Sequence, residues 1–269
     1  MVMASLLLAT ALALPVDQRC VFSMYVIEGA KQSGVSLRQA TTRVMKAGVT
    51  ALDVGLDEIK SAQQMCADGM RVESVYWEVR FLDPDNGEKT GDALLAGAKA
   101  VGSPRIMVLP QPFPEGADWN ACMAKTIAGL RKLVARAKSA GITVTVEDFG
   151  NVRSPCARIR DLKALLDGVP ELMLTLDAGN FYAIGEGEDP LEALKLFRDR
   201  IVHCHVKDYR RGAAGKWCPL GKGCIPNAQI VKALRESGYR GFFTIEESQA
   251  PDYLKAVEDA ACQLAQYLK

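Results

Sequence analysis

From Arg19 onward the chain repeats one unit, a short apolar run followed by an amphipathic stretch. The apolar runs read as strands over Cys20 to Val26, Ala51 to Val54, Val72 to Val79, Arg105 to Leu109, Ile142 to Val146, Glu171 to Leu176, Ile201 to Val206 and Phe242 to Ile245. The stretches between them carry helix ends. Ser36 caps one helix and Gly48 closes it, Gly69, Gly102, Gly141 and Gly168 close others, and Asp189-Pro190 opens another. Eight strands, each followed by a helix, within about 250 residues predict an α/β fold of the (β/α)8 barrel type in a single domain. A doubly wound open sheet is the competing arrangement, but no GxGxxG follows the first strand to support it.

The composition suits a barrel core, with 49% of the 269 residues hydrophobic and 24% charged. Lys and Arg total 33 against 32 Asp and Glu, so the net charge of +1 offers no broad basic face for nucleic acid. The eight cysteines are dispersed, which predicts free thiols in a reducing, cytoplasmic setting rather than a disulfide framework. Cys218 and Cys224 share a loop but lack CxxC spacing. Met1 to Leu14 (MVMASLLLATALAL) has the length of a signal-peptide core, which keeps export as the competing localisation. No Lys or Arg precedes it, no clean small-x-small site follows, and it is too short to span a bilayer. It is read as an extension over residues 1–18, ahead of a barrel over 19–269.

In such a barrel the chemistry sits at the C-terminal ends of the strands. The last four strands end on Glu147, Asp177, His205 and Glu246, about one βα unit apart. Each residue alone has an ordinary explanation. Glu147 has Asp148 beside it, Asp177 precedes a turn-like Ala-Gly-Asn, His205 suits a core histidine, and Glu246 adjoins Glu247, one of the pair being expected on the surface. Together they place three carboxylates and an imidazole in one pocket, where like charges repel strongly unless a divalent cation joins them. Such a ligand set suits one Mn2+, Mg2+, Co2+ or Zn2+ ion. Both histidines of the chain lie in Ile201 to Asp208 (IVHCHVKD). His203 shares a face with His205 one layer deeper, which suggests a core or ligand-orienting role.

The segments TVEDFGN (145–151), LTLDAGN (174–180), RIVHCHVKD (200–208), PLGKG (219–223) and GYRGFFTIEE (238–247) make the chain resemble the sugar phosphate isomerase/epimerase family of xylose isomerase-like TIM barrels. The resemblance covers nearly everything from Arg19 and is sharpest in the second half. It implies metal binding by Glu147, Asp177, His205 and Glu246, with Glu147 and Glu246 doubling as the catalytic acid/base pair. The implied activity is isomerisation or epimerisation of a small sugar, keto-sugar, inosose or sugar phosphate through a metal-stabilised enediolate. Two positions depart from the family's epimerases. Asn180 stands where many carry a second histidine, and Arg153 where many carry another glutamate.

Other readings compete with that activity. A dehydratase of an inosose or dehydroshikimate-type acid uses the same proton abstraction, and a non-catalytic sugar-binding barrel uses the same pocket. The partner in every case is a small sugar or keto-polyol, not nucleic acid or membrane, with a homo-oligomer admitted. Asn180, Lys207, Arg211 and Trp119 are the expected substrate-binding residues, with Trp77 as another aromatic wall. Lys207 is expected on the face opposite His205, toward the layer between sheet and helices, paired to Asp208.

Overall fold

The computed structural model describes residues 18–185, 187–212 and 215–269. The apolar run Met1 to Leu14 lies outside the described residues. Gln18 is already tied to the barrel, its side chain donating to the Gly241 carbonyl at 2.7 Å and its own carbonyl accepting from Phe243 N–H at 2.8 Å.

Eight parallel strands close into one barrel: β1 (Arg19–Phe22), β2 (Ala51–Gly55), β3 (Arg71–Val79), β4 (Arg105–Pro110), β5 (Thr143–Glu147), β6 (Met173–Asp177), β7 (Ile201–Val206) and β8 (Phe243–Ile245). Closure is made by β1 against β8, with Arg19 opposite Phe243 and Val21 opposite Ile245. The strands read as near-continuous apolar runs because both faces are covered, one by the barrel interior and the other by helices. Residues such as Leu52, Val54, Val144, Val146, Leu174 and Leu176 are accordingly buried.

The helices are α1 (Ser23–Ser33), α2 (Leu37–Lys46), α3 (Ile59–Ala67), α4 (Pro84–Val101), α5 (Trp119–Ser139), α6 (Ile159–Gly168), α7 (Ala178–Ala183), α8 (Pro190–Phe197), α9 (Asn227–Glu236) and α10 (Tyr253–Tyr267). Ser36 caps α2 in a reciprocal box with Gln39, and Asp83, Asp118, Asp189 and Asp252 cap α4, α5, α8 and α10. These caps satisfy backbone N–H groups that a helix cannot bond internally.

The main departure from the expected elements is at the start. The strand predicted over Cys20 to Val26 ends at Phe22, and Ser23 begins a helix. Ser23, Tyr25, Val26, Gly29 and Ala30 are the buried positions, a helical spacing that overrides the local β-propensity of Phe, Tyr and Val. All eight cysteines are free, Cys218 and Cys224 included. Among the described residues, no helix is long and apolar enough to cross a membrane.

Candidate active site at the strand ends

The registers bring the last four strands' terminal residues together. Asp177 of β6 lies opposite His205 of β7, and His205 lies opposite Thr244, two residues before Glu246. Glu147, Asp177, His205 and Glu246 each offer a ligand atom, and these atoms lie within 4.8 Å of one another. Asp148 turns away to accept the backbone N–H of Asp177 at 2.7 Å, so Glu147 is the member of that pair in the cluster. Asp177 and His205 are fully buried beneath the cavity. Glu147 and Glu246 also line the cavity, which has a volume of about 530 Å³, in the range of small-molecule sites.

His205 is held from both sides. Nδ1 lies 2.8 Å from Glu147 Oε1 and 3.8 Å from Asp177 Oδ2, and Nε2 lies 3.2 Å from Asp53 Oδ2. Burial alone would lower its pKa, but Glu147 and Asp53 outweigh burial and hold it well above the ordinary value. Such an arrangement asks for positive charge at Nδ1, which a proton or a divalent cation supplies equally well. The donor set, three carboxylates and one imidazole nitrogen, fits a divalent ion.

Contrary to expectation, Lys207 does not lie in the layer between sheet and helices. Lys207 follows His205 by two residues, so the period of two carries it to the same face, and its buried side chain turns into the cluster. Its Nζ lies 2.9 Å from Asp177 Oδ2, 3.0 Å from Glu246 Oε1 and 2.8 Å from Asn180 Oδ1. Gly179 makes the room, since a Cβ there would sit 2.7 Å from Lys207 Cγ. Burial opposes the charge of Lys207, but Asp177 and Glu246 raise its pKa well above the usual lysine value. Burial pushes Glu246 up to about 7 against the pull of Lys207, whereas Asp177 is held low because Lys207 and His205 outweigh its burial.

Asn180 lines the cavity, with its amide donating to the Asp148 carbonyl at 2.6 Å and to Glu147 Oε1 at 3.4 Å. Two other expected substrate contacts lie elsewhere. Trp119 starts α5 and packs edge-on against Phe113 with centroids 4.7 Å apart, and Arg211 is exposed on the loop after β7; neither lines the cavity. Trp77 is turned outward and 37% exposed, while its neighbour Tyr76 faces the cavity. The expectation that one of Glu246 and Glu247 is a surface acid also fails. Glu247 is buried, accepts from the indole N–H of Trp217, and is pushed up to about 8 by burial. Asp208, expected as the partner of Lys207, instead anchors the loop, accepting backbone N–H groups of Gly221, Gly223 and Ile225 at 2.9–3.1 Å.

Asp53 is the contributor that the sequence pattern hid. It sits inside the apolar run ALDVG of β2, fully buried, and a carboxylate in the middle of such a run is the signal that was there to be read. Its Oδ2 meets His203 Nε2 at 2.7 Å as well as His205, and both histidines keep Asp53 strongly acidic despite its burial. His203 lies one layer down, as alternation predicts, and burial lowers it to about 4, so it stays neutral.

A family model for xylose isomerase-like TIM barrels matches residues 92–268. The chain belongs to that family. It is 30% identical over 140 residues to an inosose dehydratase of Lacticaseibacillus casei, a match covering 46% of each protein, so the chain spans about half the length of that curated relative. Solved structures share the fold over most of the chain. A probable 3-DHS dehydratase, AsbF, of Bacillus anthracis superposes with a TM-score of 0.75 at 12% identity, covering 92% of this chain and 98% of that one. A xylose isomerase-like TIM barrel protein of Mycobacterium smegmatis, in complex with magnesium, gives 0.70 at 21% identity, with 86% and 87% covered. An L-ribulose 3-epimerase gives 0.73 at 16% identity, with 93% of each chain covered. Dehydratases and epimerases are thus among the proteins that the chain is similar to.

Proposed function

We propose that the chain is a divalent-metal-dependent enzyme that takes a proton from the carbon beside a carbonyl in a small polyhydroxylated ketone, and that the outcome is loss of water. The observation that carries this reading is the cluster of buried Glu147, Asp177 and His205 with the partly buried Glu246, and the Lys207 ammonium 3.0 Å from Glu246. These four residues would hold the ion. When bound, a divalent ion there polarises the ketone and eases proton removal from the neighbouring carbon.

Glu147 is the base. Its Oε1 faces His205 Nδ1 at 2.8 Å, the side on which the ion would be held, which leaves Oε2 to take the proton. Lys207 Nζ is the acid that protonates the departing hydroxyl, which leaves as water, and the neutral amine, in contact with Glu246, regains a proton from solvent as Glu147 releases the one it took. Asn180 orients both ends, bonding Glu147 through its amide nitrogen and Lys207 through its oxygen. The apolar side of the cavity, with Phe22, Tyr76 and Leu109, keeps bulk water from the reacting carbon. Named relatives that are inosose and 3-DHS dehydratases support the lyase outcome, as do the departures from the epimerase pattern at Asn180 and Arg153. An inosose or dehydroshikimate-type keto-polyol is the substrate class, and the free thiols suit a reducing compartment.

Epimerisation or isomerisation is the second reading, favoured by the presence of two glutamates at the cavity. There Glu246 returns the proton to carbon and no hydroxyl leaves. Incubating purified protein with a panel of inososes, ketoses and dehydroshikimate in D2O separates the two. A metal-dependent product lighter by one water is the expected result. A product of unchanged composition carrying deuterium beside the carbonyl would replace the lyase with an isomerase or epimerase, and binding without turnover would leave a sugar-binding barrel.

A further inference from the structure

Below the cluster, the barrel interior is polar where such interiors are ordinarily filled by branched apolar side chains. A hydrogen-bonded chain runs from the barrel floor to the cluster through Glu73, Arg105, His203, Asp53 and His205. Arg105, at the start of β4, places Nη1 3.3 Å from Glu73 Oε2 and 2.9 Å from His203 Nδ1. A guanidinium has no acceptor atom, so Arg105 can only donate, and His203 Nδ1 must present its lone pair. His203 is therefore neutral with its proton on Nε2, and it donates to Asp53 Oδ2 at 2.7 Å. The Thr244 hydroxyl donates to the same oxygen at 2.8 Å. Asp53 is thereby fixed as an anionic acceptor, so at 3.2 Å it takes the Nε2 proton of His205. That leaves Nδ1 of His205 to face Glu147 and Asp177.

Two irregularities of the sheet look built for this chain. The register of β2 against β3 slips between Leu52 and Asp53, which leaves Glu73 as the extra residue on β3. The register of β6 against β7 slips between Leu174 and Thr175, which leaves Val202 as the extra residue just before His203. Bulges of this kind re-aim side chains beside functional sites. The same tautomer closes His203 Nε2 to a metal. Cys20, Asp53 and His203 have ligand-type atoms within 4.8 Å of one another, but they form a hydrogen-bonded group and not a second ion site.

We infer that Arg105, His203 and Asp53 are positioning residues that set the tautomer of His205 from the floor of the barrel, so that Nδ1 is the nitrogen offered to the metal. The inference rests on the proposed metal site for its last step only. With just two histidines in the chain, it can be read directly from long-range 1H–15N spectra of protein labelled with 15N-histidine. In the Zn2+-loaded protein both histidines should carry their proton on Nε2, with His205 bound through Nδ1. Arg105→Met should release the His203 tautomer into a mixture and weaken Zn2+ binding several-fold. Arg105→Lys, which keeps a donor, should restore both. Asp53→Asn should cost about 10- to 100-fold in Zn2+ affinity, the usual loss for a residue that orients a ligand. If the latter variant does not fold, the Arg105 pair still decides. Zn2+ on Nε2 of His205, or an Arg105→Met protein with unchanged spectrum and affinity, would overturn the inference. Failure of the wild type to bind any divalent ion would instead overturn the metal site. The His203 spectrum and its response to Arg105→Met would then still decide the chain of hydrogen bonds.

Discussion

The units built on β5 to β8 bring Glu147, Asn180, Lys207 and Glu246 to the cavity, whereas those on β1 to β4 bring Phe22, Tyr25, Tyr76, Met107 and Leu109. Both halves repeat the same backbone unit and end at the same rim, so the difference lies wholly in the residue placed at each strand end. The charged wall concentrates carboxylates that repel one another unless a cation joins them. The apolar wall does no chemistry, but it holds water and its high dielectric away, which strengthens every charge interaction opposite. Phe22 joins the two walls, its ring packed edge-on against the His205 imidazole at 4.9 Å.

If the walls divide chemistry from shape, changes in each should have separable effects. The largest belongs to the charged wall, where Glu147→Gln should lower turnover by about 10²- to 10⁴-fold in steady-state assays with the substrate that the panel identifies. Lys207→Met should come next. Removing the one ammonium among Asp177 and Glu246 leaves buried carboxylates uncompensated, and should cost about 3 kcal/mol in urea unfolding of chelator-treated protein. Added divalent ion should restore part of that loss, because a ligand that binds only the folded state stabilises it. Metal-independent instability would place Lys207 outside the cluster's charge balance.

On the apolar wall, Leu109→Ala should raise KM about tenfold and leave kcat and metal content nearly unchanged. A collapse of kcat there would erase the distinction between the walls. Gly223 sits on neither wall but fastens the loop after β7, and a Cβ there would lie 2.1 Å from Asp208 Oδ1. Gly223→Ala should therefore lower stability by about 1–3 kcal/mol in thermal melts and loosen the rim.

The smallest effect is one of pH. Glu247 has its folded pKa raised by burial to about 8, above the ordinary value of 4.5. Between those values the folded state holds the proton that the unfolded state has lost, so stability falls as pH rises from about 4.5 to 8. Glu247→Gln keeps the neutral form at every pH. Its advantage over wild type in thermal melts should grow from pH 5 to pH 8, and an advantage that shrinks with pH would contradict the assignment.

The barrel and the four clustered residues were legible in the sequence because each depends on local order. Strand-ending Glu147, Asp177, His205 and Glu246 recur at the repeat of one unit, and the repeat defines the fold. What was hidden depends on contacts between distant residues. Asp53 reads as part of an apolar strand until His203, remote in sequence, is seen beside it. Lys207 reads as a partner of the adjacent Asp208 until Asp177, Asn180 and Glu246, remote in sequence, are seen around its ammonium. Trp119 ends one Pro- and Gly-rich loop and Arg211 lies in another, where no periodicity says which way a side chain points. Glu247 reads as a surface acid because nothing local announces Trp217.

The central claim is that the charged wall is a metal site, and metal binding by chelator-treated protein tests it most directly. Titration with Mn2+, followed by elemental analysis of the dialysed product, should give about one ion per wild-type chain and none retained in His205→Ala or Glu246→Gln. Undiminished stoichiometry and affinity in both variants would contradict the account.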